Sequence, residues 1–136
     1  MDLSRLLDPK SIAVVGASER AASYGGEALL NLKRIDYSGK VYAVNPGRDE
    51  VHGIDCFASL ADLPEAPDAV IVAIPAEQVA AVIEQAGALG CGGAVVFAAG
   101  FSESREGEQH QAELIAAAAA HDLPVCGPNG NGIVSI

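Results

Sequence analysis

The chain has 136 residues, a length that fits one domain and not two. Half of them are hydrophobic, aromatic residues make up 4% and tryptophan is absent, so the core has to be built from Ala, Val, Ile and Leu, the composition of buried parallel strands under helices. A formal net charge of −10 excludes a nucleic-acid surface, which needs clustered Lys and Arg to displace counterions, but it leaves room for an anionic small ligand held by backbone amides and a local cation.

Taken in chain order, the elements alternate. Ser11 to Val15 is a β-branched run stopped by Gly16, and Glu27 to Ile35 carries Ala28, Leu29, Leu32 and Ile35 at helical spacing. Lys40 to Val44 is the second strand, stopped by Asn45-Pro46-Gly47. Gly53 to Phe57 reads as a short extended piece and Leu60 to Leu63 as a helical turn. The third strand is Ala69 to Ile74, ended by Pro75; Ala76 to Leu89 is a helix with Val79, Val82, Ile83 and Ala86 on one face, closed by Gly90. Ala94 to Phe97 is the fourth strand, Glu106 to His121 an Ala-rich helix, and Pro124 to Cys126 the fifth strand. Strands and helices at this spacing predict an α/β fold: a Rossmann-like, doubly wound parallel sheet of five strands with helices on both faces. Right-handed crossovers predict the order 3-2-1-4-5, with a switch point between the first and fourth strands and ligands beyond the strand carboxyl ends.

Three cysteines, Cys56, Cys91 and Cys126, are odd in number and lack metal-ligand spacing, so reduced thiols and no metal site are expected. The start Met1 to Arg5 lacks the basic segment and apolar run of a signal peptide. No apolar stretch approaches the ~20 residues of a membrane span. A cytoplasmic protein without membrane or nucleic-acid partners is the expectation.

The loops after the strands carry the candidate chemistry. The first, Gly16 to Gly26, leads from a strand into a helix, where free amides and the helix dipole favour phosphate. It matches neither GxGxxG, since Ser18 and Ala21 stand at the later glycine positions, nor a P-loop. Gly25-Gly26 at the helix start would let a phosphate approach the backbone, and a side chain at position 25 is expected to block a pyrophosphate while the fold survives. In the second loop, Val44-Asn45-Pro46 stands where an NAD site places an acid for the ribose hydroxyls. Arg48 is either a phosphate partner or a solvated cation beside Asp49 and Glu50. Gly127-Pro128-Asn129-Gly130-Asn131-Gly132 is too rich in glycine for a plain turn and suggests close approach of a ligand or partner domain.

Five segments in order resemble the CoA-binding domain of NDP-forming acyl-CoA synthetases, the group of ADP-forming acetate–CoA ligases and the succinyl-CoA synthetase α subunit. They are Ser11 to Ser18, Gly39 to Pro46, Val72 to Ala76, Ala99-Gly100-Phe101 and Gly127-Pro128-Asn129. The resemblance covers nearly the whole chain. It implies coenzyme A as ligand, with Gly16, Ala17, Ser18, Arg20, Ser23, Tyr24 and Gly25 at the CoA phosphates. Asn45, Pro46 and Arg48 would flank the adenosine 3′-phosphate, Ile74, Pro75, Ala98, Ala99 and Gly100 would line the adenine and pantetheine path, and Asn129 would lie near the thiol end. Gly47 stands where many relatives have Lys, and Gly130 where relatives often have Cys.

The resemblance also implies a parent ligase that makes acyl-CoA from an acid, CoA and ATP. The phosphohistidine and the ATP and Mg²⁺ sites would lie outside this chain, in further domains or a partner subunit, and homo-oligomers are compatible with it. His52, His110 and His121 match no phosphohistidine motif, His110 and His121 are expected as solvated residues, and the chain alone is expected not to catalyse. A stand-alone CoA-binding protein and an NAD(P)-binding domain are the competing readings.

Overall fold

The computed structural model describes residues 3–19, 23–97, 105–127 and 133–134. The expected sites Arg20, Ala98, Ala99, Gly100 and Asn129 lie outside them. Helix α1 (Ser4–Leu7) precedes β1 (Ser11–Val15), which is followed by α2 (Tyr24–Arg34) and β2 (Lys40–Val44). A short hairpin, β3 (Glu50–Val51) and β4 (Ile54–Phe57), and a 3-10 turn (Leu60–Asp62) lead to β5 (Ala69–Val72) and α3 (Ala76–Leu89). β6 (Gly93–Val96), α4 (Arg105–Ala120), β7 (Val125–Cys126) and β8 (Ile133–Val134) complete the order.

The sheet runs β3-β4-β2-β1-β5-β6-β7-β8, parallel from β4 to β7 and antiparallel in the outer pairs β3–β4 and β7–β8. The Rossmann-like, doubly wound fold is therefore present, with eight strands among the described residues where five were expected. The strand beginning at Ala69 lies beside β1 and not outside β2. The outer place is held by the extended piece, β4, which pairs with β2 through Ala43↔Cys56 and Val44↔Phe57. Once β4 takes that position, the chain crosses back to the other side of β1, and the switch point falls between β1 and β5. Counted with β4 as third, the parallel strands read 3-2-1-4-5-6.

Two apolar layers flank the sheet, as the alternation of β1 shows. Ala13 and Val15 point into the layer of α3 and α4, with Val79, Ile83, Leu114 and Ala118, while Ile12 and Val14 meet Leu29 of α2 on the opposite face. Full burial of Leu29, Ile83 and Leu114 contributes about 1.5–3 kcal/mol each. Helix α3 ends where Gly90 adopts φ +83°, the left-handed cap expected there. His121, expected as a solvated residue, instead bridges the two helices: its Nε2 lies 2.6 Å from Glu84 Oε1, and its ring packs so tightly on Gly87 that a methyl group there would overlap it.

Asp68 ties the amino end together. It accepts from Arg5 Nε at 2.7 Å and from the Lys10 amide at 2.8 Å, while Arg5 also donates to the Gly90 carbonyl. The Arg5 hydrogen bond, followed by the Lys10 amide, holds the Asp68 carboxyl below its ordinary range. No described helix is long and apolar enough to cross a membrane, and no cluster of metal-ligating side chains occurs among the described residues.

Candidate functional site

The carboxyl ends of β1, β2, β4 and β5 open into a cleft of about 440 Å³. Its floor is apolar, formed by Val15, Val44, Leu60, Ile74 and Val82, and its rim carries Asn45, Ser59, Gln78 and Gln85. None of the described residues lining it is charged, so this lining suits an uncharged moiety with hydrogen-bonding groups along its edge.

Gly16 closes β1 with φ +90°, and a Cβ on it would overlap the Ala73 carbonyl and touch Ile74. Its place is thus fixed by the meeting of the β1 and β5 ends at the switch point. Its amide and that of Ala17 donate to Val44 O at 2.9 and 3.4 Å. Beyond it, Ser23 caps α2, its Oγ accepting from the Gly26 amide at 3.1 Å. The amides of Tyr24 and Gly25 in the first turn find no acceptor among the described residues, which leaves donors and the positive end of the dipole for an anion.

Gly25 has a second reason to be glycine. It is buried, and a Cβ there would sit inside the Gly16 carbonyl and 3.2 Å from Ala17 Cα. The expectation that a side chain at position 25 leaves the fold intact is therefore overturned: the residue lets the helix start press against the end of β1. Gly26 is held likewise, against the Ser18 carbonyl and the Ser23 hydroxyl.

Asn45 joins the two loops. Its amide donates to Phe57 O at 2.9 Å, and its side-chain Nδ2 donates to Ala17 O at 2.7 Å. The residue at the acid position of an NAD site is thus a structural strut, with its NH₂ group committed to the first loop. Three residues on, Arg48 leans back over that loop, its Nη1 3.9 Å from Glu19 Oε1, both side chains about half exposed. Glu19, and not Asp49 or Glu50, is its partner. So long and exposed a pair is worth little, and a phosphate dianion would compete for Arg48 effectively. Behind the turn, Cys56 Sγ contacts Asn45 O at 3.6 Å, and burial pushes its thiol up.

The structure thus brings Gly16, Ala17, Asn45, Pro46, Arg48, Ile74 and Pro75 together around one cleft and its lip. Ser18, Ser23 and Gly25 lie along the adjoining loop and helix start. Tyr24 stands apart: it turns away from the cleft, is 64% exposed, and stacks on Phe97 at 6.0 Å. Reading the strand-end loops alone misses Ser59, Gln78, Val82 and Gln85. The last three occur at i, i+4 and i+7, one face of α3, a signal available in the sequence to anyone asking which helix overlooks the strand ends.

Comparison with known proteins gives a consistent picture. The model of the family described as CoA binding domain matches residues 10–135. A trans-feruloyl-CoA synthase from an unknown prokaryotic organism is 44% identical over 128 residues, which are 93% of this chain and 18% of that protein. The acetate–CoA ligase [ADP-forming] II of Archaeoglobus fulgidus is 36% identical over 98% of this chain and 20% of its own length. Among solved structures, the dinucleotide forming acetyl-coenzyme A synthetase 1 of Ca. Korarchaeum cryptofilum, in complex with phosphate and ADP, superposes with a TM-score of 0.86 at 38% identity. That alignment covers 94% of this chain and 27% of the other. The chain spans about a fifth of the length of these curated relatives.

Proposed function

The chain belongs to the CoA-binding domain family, and on that premise we propose that it holds coenzyme A across the cleft and the α2 start, as the CoA-binding part of an acid–CoA ligase of the ADP-forming kind. The observation that carries this reading is the division of charge. The described lining of the cleft is uncharged, whereas the lip beside it offers Arg48 and the first-turn amides of α2. CoA has the matching division, an uncharged base joined through a ribose to a 3′-phosphate and a pyrophosphate.

In this reading Asn45, Pro46, Ile74 and Pro75 border the base and the start of the pantetheine arm, and Arg48 meets the 3′-phosphate. Gly16, Ala17, Ser18, Ser23 and Gly25 shape the backbone around the pyrophosphate, and Tyr24 flanks it from the outside. Arg20, Ala98, Ala99, Gly100 and Asn129 extend the path in the same proposal. When bound, CoA supplies the thiol that receives the acyl group. The residues of this chain bind and orient it, and none of the described side chains forms a nucleophile–base pair at the cleft. Acid activation, ATP and Mg²⁺ belong to the remainder of the ligase, so the chain alone is expected to make no acyl-CoA from acetate, ATP, Mg²⁺ and CoA.

Calorimetry with CoA, dephospho-CoA and NAD tests the assignment. A charge-assisted contact to phosphate is worth about 1.5–3 kcal/mol, so CoA should bind roughly ten- to a hundredfold more tightly than dephospho-CoA, and NAD worst. Arg48→Ala should close most of that gap and leave dephospho-CoA binding nearly unchanged, and salt should narrow it because the contact is half exposed. Equal affinities for CoA and dephospho-CoA would reduce Arg48 to a partner of Glu19. NAD binding more tightly than CoA would overturn the reading.

A further inference from the structure

A parallel sheet is ordinarily covered on both faces, and here a strip of one face is only partly covered by the described residues. On the face of α3 and α4, Val70, Val72, Ala94, Val96 and Val125 are all buried. On the opposite face, Ile71, Val95 and Cys126 form one row across three strands, in register as Ile71↔Val95 and Val95↔Cys126, and all three remain partly exposed. The row below is closed, since Ala69 is buried and Leu6 of α1 packs directly on Gly93. Above it stands Phe97, 44% exposed, stacked on the exposed Tyr24. Helix α2 covers β1 and stops short, leaving a groove of about 340 Å³ between its outer side and this strip. Ile35, 70% exposed, closes the groove at the far end of α2. In a chain of net charge −10, the described lining of the groove carries one ionisable carboxylate, Glu27, at its rim. An apolar partner would therefore cover it without burying a cluster of charges.

We propose that this open strip, from Ile35 and Tyr24 across Ile71 and Phe97 to Val95 and Cys126, is the docking surface for the remainder of the polypeptide in its ligase relatives. Two observations favour that occupant. The chain corresponds to only about a fifth of the relatives' length, so in those relatives most of the polypeptide lies outside the matched part. The last described strand, β8, lies beside β7, so polypeptide continuing from it starts at the margin of the strip. A covalently attached segment docks at high effective concentration and needs only a modest patch, whereas a free partner or second copy ordinarily buries ~800 Å² on each side.

Cys126 is a reporter within the strip. The experiment compares maleimide labelling of Cys126, followed by peptide mass spectrometry, in two settings: the isolated chain, and the chain grafted in place of its counterpart in the Archaeoglobus fulgidus ligase. A second reporter, Phe97→Cys, is read in the same way. Labelling at both positions is expected to be at least tenfold slower in the graft. Val95→Asp in the graft should restore the isolated-chain rate, and so should the surface variant Ile35→Glu, which disturbs no packed core. A cooperative urea unfolding transition in each isolated variant confirms that it is folded. Equal labelling in graft and isolated chain overturns the proposal, as does protection that survives both substitutions. Labelling of the isolated chain that slows with protein concentration also overturns it, in favour of a second copy.

Discussion

The loop that leaves β1 and the turn that leaves β2 face each other across the bond from Asn45 to the Ala17 carbonyl, yet their glycines are of different kinds. Gly25, and with it Gly16, stands where backbone meets backbone with no room for a side chain. Gly47, at φ +90°, has nothing within 4 Å of where a Cβ would point. The first loop is fixed by contact and the second by conformation alone. Glycine next to a ligand therefore does not by itself signal a ligand. At Gly25 the neighbour that forbids a Cβ is the protein's own backbone, and any benefit to an approaching phosphate comes in addition.

That contrast can be broken most sharply at Gly25. Gly25→Val has to push α2 away from the β1 end, and we expect a loss of about 3 kcal/mol in urea unfolding, in the upper range of overpacking costs; an unfolding midpoint equal to the parent's would return Gly25 to a purely ligand-facing role. Asn45→Ala removes the strut between the loops and leaves the Ala17 carbonyl without its donor, at a cost of about 2 kcal/mol. Amide exchange should quicken at Gly16 and Ala17 in that variant, and unchanged exchange would mean that the loops do not support one another. Gly47→Ala strains the backbone without a clash and should cost only about 1 kcal/mol; a cost as large as that of Gly25→Val would erase the distinction.

The smallest effect lies away from both loops, at Asp68. Its folded pKa is depressed by Arg5 and the Lys10 amide, so its contribution is present above the ordinary aspartate value near 3.8 and is lost as pH falls through the lower folded value. Asp68→Asn should therefore be less stable than the parent at pH 6, with the difference shrinking below pH 4. A difference that stays constant down to pH 2 would show that Asp68 acts without its charge.

The sequence made much of the fold readable because strong periodicity coincided with clear stops. Ser11 to Val15, Lys40 to Val44 and Ala76 to Leu89 keep their expected bounds, each closed by Gly or Pro chemistry that acts locally. The place of β4 was not legible. Ile54 to Phe57 is too short and too mixed in polarity to announce a strand, and its pairing with β2 depends on a hairpin whose turn, His52-Gly53, gives a weak signal. The bridge from His121 to Glu84 was equally hidden, since it spans 37 positions and two helices. At the site, the backbone loops were legible because strand ends in this architecture face ligands. Gln78 and Gln85 enter the cleft from the side of α3, where only their helical spacing with Val82 marks them, and Gly25 was misjudged because a close approach of helix to strand leaves no trace in composition.

Arg5 has a consequence for the order in which the molecule is made. Its partners, Asp68 and the Gly90 carbonyl, lie 63 and 85 positions downstream, and Leu6 rests on Gly93. A ribosome must therefore release nearly seventy residues before Arg5 meets Asp68 and more than ninety before Leu6 meets Gly93. Until then the amino-terminal segment waits while β1, β2 and β5 assemble, and its docking records that the second half of the sheet has arrived. A chain shortened by its first seven residues should still begin to fold on the ribosome, and should lack the contacts that fasten the start of β5 to the end of α3 and the cover of Leu6 over Gly93.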